Sequence, residues 1–313
     1  MLSPIKSFAT AIAAVAISAT VALAATPALS PLVTTGWLKD HLDEKNLVIL
    51  DIRPATAKDK AATYGDGHVP GAISAPYPGA WRAKRDGVPA QMPSVDALEA
   101  YLSGIGVTKD KTVVVIPSGA SSSDFSAGTR VYWTLKELGL DNLAILDGGI
   151  RAWKAAGLEL STDKVEPKAA SFKAAPDPDI IISTDEVAGD LGTRTVLVDA
   201  RPEAFFTGET KHKLASRPGR LPGAVSLDQN TFFDAATGKL KPKAELSMIA
   251  SAKVGDPDAN IVSYCNTGHW ASADWFVLHE VLGYENVKLY DASMVGWTMD
   301  PGRPVDLGAP NKD

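Results

Sequence analysis

The chain contains one cysteine, Cys265, among 313 residues. It lies in the run Cys265-Asn266-Thr267-Gly268-His269-Trp270, after the apolar segment Asn260–Tyr264 and before a helical pattern that starts near Ala271. The first reads as a buried strand and the second as a helix over Ala271–Leu282. A short turn from strand to helix points successive backbone N–H groups inward, and the helix N-terminus adds partial positive charge. Both effects favour an anionic sulfur. Gly268 lets the loop take backbone angles that a side chain would resist. The chemistry implied is nucleophilic attack by Cys265 through a covalent intermediate. A lone cysteine is often only a small buried hydrophobe. The strand–loop–helix placement favours the reactive reading.

The elements that must position this loop occur twice. Val48-Ile49-Leu50-Asp51-Ile52-Arg53-Pro54 matches Val196-Leu197-Val198-Asp199-Ala200-Arg201-Pro202. His68-Val69-Pro70-Gly71-Ala72-Ile73 matches Arg220-Leu221-Pro222-Gly223-Ala224-Val225, and Val113–Ser118 matches Asn260–Cys265. Leu146-Asp147-Gly148-Gly149 matches Tyr290-Asp291-Ala292-Ser293. Blocks in one order at a nearly constant offset of roughly 148 residues mark two copies of one domain. Ser118 stands where the second copy has Cys265. Strands are expected at Leu47–Leu50, Thr112–Ile116, Leu143–Leu146, Val196–Val198, Asn260–Tyr264 and Val287–Tyr290. Helices are expected at Ser94–Leu102, Arg130–Leu138, Lys243–Ser251 and Ala271–Leu282. The alternation implies an α/β fold with mostly parallel sheets covered on both faces. Ligands on such sheets sit at the carboxyl ends of strands, where Cys265 falls.

Composition removes other classes. One cysteine excludes a disulfide framework, an iron–sulfur cluster and a CxxC zinc site. The five histidines at 41, 68, 212, 269 and 279 form no metal-binding spacing, so neither a metal nor a cofactor is expected. Lys+Arg total 31 against Asp+Glu 37, a net charge of -6 without basic blocks, which argues against nucleic acid. Residues 1–24 read as a signal peptide. Lys6 supplies the positive end, Ala9–Leu23 the apolar run and Ala22-Leu23-Ala24 the cleavage site. An exported protein is expected, periplasmic or secreted, with no membrane attachment after cleavage. Trp133, Trp153, Trp275 and Trp297 are expected in the core, and His68 in a turn that maintains the fold.

Tandem Asp-x-Arg…Gly-Ala blocks, with a Cys-x-x-Gly-x-x loop only in the second copy, resemble the rhodanese superfamily, in particular two-domain thiosulfate sulfurtransferases. The resemblance implies tandem rhodanese-like domains: an inactive copy over 32–160, a linker over 161–180 and a catalytic copy over 181–309. It implies that Cys265 attacks thiosulfate, releases sulfite and passes sulfur from a persulfide to cyanide or a thiol. Asn266, Thr267, Gly268, His269 and Trp270 would bind the anionic donor, with Trp270 walling the pocket. Arg201 is a further donor-binding candidate, although its repeat partner Arg53 lies in the copy without a cysteine, which favours a structural pair with Asp199. Phe205-Phe206 occupies the stretch where the family carries its substrate arginine, so positive charge is expected from Lys211, His212, Lys213, Arg217 and Arg220. Two alternatives are 3-mercaptopyruvate as donor, and a persulfide carrier or sensor that works with a protein partner. A cysteine phosphatase needs an arginine closing its loop, and Ala271 stands in that place. Because Ser118 lacks a nucleophile elbow around it, Ser118→Ala is expected to leave the steady-state rate of sulfite release near the parent value.

Overall fold

The computed structural model describes residues 29–54 and 63–309. The expected signal segment, residues 1–24, lies outside them. The first copy runs β1 (Leu32–Val33), α1 (Thr35–His41), β2 (Leu47–Asp51), β3 (Ile73–Ser74), β4 (Ala83–Arg85), β5 (Val88–Gln91), α2 (Val95–Gly104), β6 (Thr112–Ile116), α3 (Ser122–Glu137), β7 (Leu143–Leu146) and α4 (Gly149–Ala155). Its main sheet has the order β1-β7-β6-β2-β3, all parallel. The second copy runs α5 (Thr184–Asp190), β8 (Val196–Asp199), α6 (Glu203–Phe206), β9 (Val225–Ser226), β10 (Phe233–Asp234), β11 (Lys239–Leu240), α7 (Lys243–Lys253), β12 (Ile261–Tyr264), α8 (Ala271–Trp275), β13 (Val287–Leu289) and α9 (Ser293–Trp297). Its parallel sheet has the order β13-β12-β8-β9. The fold is the expected α/β arrangement of parallel sheets flanked by helices. No helix among the described residues is long and apolar enough to cross a membrane.

The apolar runs form central strands because both of their faces are buried. Along β6, Val113 and Val115 point into one core, while Val114 and Ile116 point into another. This is the two-residue alternation of a strand. The first of these cores is shared by the two copies and also contains Ile261, Cys265 and Trp275. Rings close the seam: Tyr132 and Phe125 of α3 meet Phe276 edge-on, with centroids 4.9 and 5.9 Å away.

Two elements depart from the sequence reading. The helix expected from Arg130 begins at Ser122, with the Ser121 side chain accepting from the Asp124 amide. Its first turns carry small polar residues that show no apolar period, yet they face the other copy. Thr129 Oγ1 lies 2.8 Å from Ser272 Oγ. The helix expected over Ala271–Leu282 is α-helical only to Trp275 and continues as a π-helical stretch over Phe276–Leu282. The segment between the copies is stitched down: the Ala170 and Phe172 amides donate to Ser103, the Ala175 amide donates to Leu138, and Phe172 and Ile180 are buried.

Glu137 ends α3 almost fully buried, and its Oε2 has no partner among the described residues. Burial pushes its carboxyl from the ordinary 4.5 up to about 7. Between these values the folded chain holds a proton that the unfolded chain has lost, so stability falls as pH rises through that window. In thermal melts, Glu137→Gln is expected to gain on the parent steadily from pH 4.5 to 7, with the difference levelling off above.

Candidate functional site

Cys265 follows the last residue of β12, and its side chain is buried. Cys265 lines a pocket of about 350 Å³ at the carboxyl end of the second sheet. Asn266, Thr267, His269 and Trp270 also line it. The opposite wall belongs to the other copy: Tyr77, Pro78, Arg82, Ala90 and Ser123. The site therefore forms between the copies.

The loop is anchored from behind. Ser293, at the start of α9, accepts from the Cys265 amide at 3.0 Å and the Gly268 amide at 3.1 Å, and its hydroxyl donates to Tyr290 O at 2.7 Å. Ser293 has φ +47°, in the left-handed region where a non-glycine residue costs about 1–2 kcal/mol. Its repeat partner Gly149 has φ +55°. The second copy thus carries a side chain at a glycine position, and that side chain holds two loop amides. Backbone amides of Met294 and Val295 in α9 donate to Cys265 O and Asn266 O. The amides of Asn266, Thr267, His269 and Trp270 donate to no acceptor among the described residues. They remain available to an anion.

The loop carbonyls meet arginines of the first copy. Arg82 Nη2 donates to Thr267 O, and Arg130 Nη1 donates to Gly268 O at 3.1 Å. Arg82 also donates to Ala90 O through Nε at 2.7 Å and to the Tyr77 hydroxyl through Nη1 at 2.6 Å. Arg130 is buried, pairs with Asp291 at 2.7 Å and lies over the Trp133 ring. Asp291 Oδ2 in turn accepts from the Met92 amide at 2.7 Å.

Several expected roles change. His269 does line the pocket, but its Nδ1 lies 2.9 Å from the Tyr77 hydroxyl and its Nε2 lies 3.1 Å from Ser123 Oγ. Because Tyr77 accepts from Arg82, its own proton is free for Nδ1, and Nε2–H then donates to Ser123. Burial, with Arg82 and Arg130 adding like charge, pushes His269 down to about 3, so the ring is neutral. It is a fixed wall rather than a sulfonate ligand. Gly268 supplies a turn instead of a contact: its amide and carbonyl both face away to Ser293 and Arg130. Arg201, the expected donor-binding arginine, is buried and committed to Asp199 at 2.6 and 2.8 Å, Gly219 O at 2.9 Å and Asn266 Oδ1 at 3.4 Å. Arg53 makes the same bidentate pair with Asp51. Arg201 therefore pins the strand end and steadies Asn266. Trp270 walls the pocket, and Phe205 packs edge-on against it at 6.0 Å.

The basic segment after Phe206 does not supply the charge. Arg220 donates to Gly308 O, Arg217 to backbone oxygens at 300 and 303, and Lys211 to Ala215 O. Only His212 of that group lines the pocket, and burial together with Lys213 and Lys211 lowers its pKa. The cation in the pocket lining is Arg82. Sequence reasoning missed it, as it missed Tyr77, Ser123, Arg130 and Ser293. Only Ser293 carried a signal, as a departure from the Gly149 of its repeat. On α8, burial pushes the Asp274 carboxyl well above the usual range, with Asp228, Cys265 and Asp199 pushing the same way. Both carboxyl oxygens of Asp274 lack a hydrogen-bond partner among the described residues.

The chain matches the Rhodanese-like domain over residues 34–156 and 183–300. It belongs to the rhodanese family. A protein of Synechococcus elongatus described as "Putative thiosulfate sulfurtransferase" is 31% identical to this rhodanese, the alignment spanning 92% of this chain and 89% of the relative. The 3-mercaptopyruvate sulfurtransferase of Escherichia coli is 29% identical over 86% of this chain and 95% of its own. The class of the enzyme is accordingly sulfurtransferase. Among solved structures, an anaerobic ergothioneine biosynthesis enzyme from Chlorobium limicola shares the fold with TM-score 0.75 at 21% identity, over 90% of this chain and 71% of that one.

Gly268 has φ +70°, and a Cβ placed there would stand 2.6 Å from Arg130 Nη1 and 2.7 Å from Asp291 Oδ1. Gly268→Ala is expected to displace the rhodanese loop and cut sulfur transfer by at least about ten-fold, measured as the rate of product formation at saturating donor.

Proposed function

We propose that this rhodanese transfers sulfane sulfur from thiosulfate to a thiophilic acceptor, cyanide or a thiol, through a persulfide on Cys265. The observation that carries the reading is that Cys265 lines a pocket together with Asn266, Thr267, His269 and Trp270, whose amides donate to no acceptor among the described residues. The Cys265 thiolate attacks the outer sulfur of thiosulfate. A new S–S bond forms, the old one breaks, and sulfite leaves with the electron pair. The acceptor anion then attacks the outer sulfur of the persulfide, and Cys265 returns as thiolate. Arg82 and the amides of Asn266, Thr267, His269 and Trp270 offset the donor's negative charge. The wall of Tyr77, Pro78, Ala90 and Trp270 leaves room for the body of an organic thiol. The N-terminal segment supports a periplasmic or secreted location.

The relationship to a 3-mercaptopyruvate sulfurtransferase supports that compound as the second donor to test. Steady-state sulfite release from thiosulfate with cyanide separates turnover from a carrier, which gives one stoichiometric burst. Cys265→Ser is expected to abolish transfer while its thermal melt stays cooperative. Turnover near the parent rate in that variant overturns the proposal.

A further inference from the structure

The two arginines on the loop act on different peptide groups. Thr267 O, held by Arg82, shares its peptide with the Gly268 amide, which points to Ser293. Gly268 O, held by Arg130, shares its peptide with the His269 amide, one of those that donate to no acceptor among the described residues. A cation on a carbonyl oxygen draws electron density across the peptide and makes the N–H at its other end a stronger donor. Arg130 does not line the pocket, so it does not touch a bound substrate. Its charge is held in place by Asp291, which is itself fixed by the Met92 amide of the first copy.

We propose that Arg130, in the copy without a cysteine, is a positioning residue for the reaction in the other copy: through Gly268 O it orients and polarises the Gly268–His269 peptide, whose N–H then binds the donor anion and the persulfide. This rests on the reading that Cys265 carries the sulfur. It assigns to the first copy an electrostatic role in the reaction, besides forming a wall.

The test compares two alkylating reagents of similar size, anionic iodoacetate and neutral iodoacetamide, on Cys265, the one cysteine in the chain. The ratio of their rates cancels changes in thiol ionisation and in access, and reports the pull of the loop on an anion. Removing Arg130 alone would bury an unpaired Asp291, so the pair is replaced as a unit, Arg130→Gln with Asp291→Asn, which leaves the net charge unchanged. The iodoacetate-to-iodoacetamide ratio is expected to fall about five-fold. A purely structural loosening changes both rates together and leaves the ratio alone. If the double variant shows no cooperative melt, Arg130→Lys is read by the same criterion. It keeps the charge beside Asp291 but loses the forked geometry, and a fall of about two-fold is expected. A ratio equal to the parent's in whichever variant folds overturns the proposal. Alkylation needs no sulfur donor, so failure of the sulfurtransferase reading registers separately, as no persulfide mass on Cys265 after incubation with thiosulfate.

Discussion

The carbonyl oxygens of Thr267 and Gly268 are each held by a guanidinium from the other half of the chain, and the rest of the site depends on that clamp. A short loop between a strand and a helix can turn its peptide planes in more than one way. Fixing Gly268 O on Arg130 turns the His269 amide of the same peptide away from that arginine, and it donates to no acceptor among the described residues. The clamp works only if its anchors are rigid. Arg130 is rigid because it is buried on α3, paired with Asp291 and stacked on Trp133. Losing either member of such a pair costs about 3–5 kcal/mol, because the other is left charged in the interior. Arg82 is rigid because Ala90 O and Tyr77 hold it from two sides.

The shared core explains how residues far apart in sequence reach this precision. Phe125 and Tyr132 of α3 pack on Phe276, directly beyond α8, and α8 begins where the loop ends. Side-chain packing at interior density transmits position without slack. The first copy therefore cannot drift relative to the loop without opening this seam. The segment at Ala170–Ala175 is tied to Ser103 and Leu138 of the first copy.

What was legible in the sequence follows from what makes a local signal. The central strands show because continuous apolar runs have a local cause, burial on both faces, as in Thr112–Ile116. The Cys265 loop stood out because a lone cysteine falls between a strand and a helix, where the repeat has Ser118. The walls did not show, because Tyr77, Arg82 and Ser123 become pocket residues only once two domains have packed together. Arg82 sits in no motif. The basic cluster at 211–220 looked suitable because its charge is local, yet most of its side chains serve the backbone around them. The start of α3 was hidden for a related reason: its small polar residues face another protein surface rather than a core.

The paired motifs show which features belong to the scaffold. Asp51–Arg53 and Asp199–Arg201 have the same geometry, although only one copy has a thiol. Ser293, by contrast, replaces a glycine only beside Cys265. Much of the wall of the Cys265 pocket comes from the cysteine-free copy, so half a chain would leave that pocket open to bulk solvent on one side. Such a half would have to recruit a mate to restore the enclosure. Tandem duplication makes that meeting intramolecular, giving the chain the character of a heterodimer whose partners dilution cannot separate.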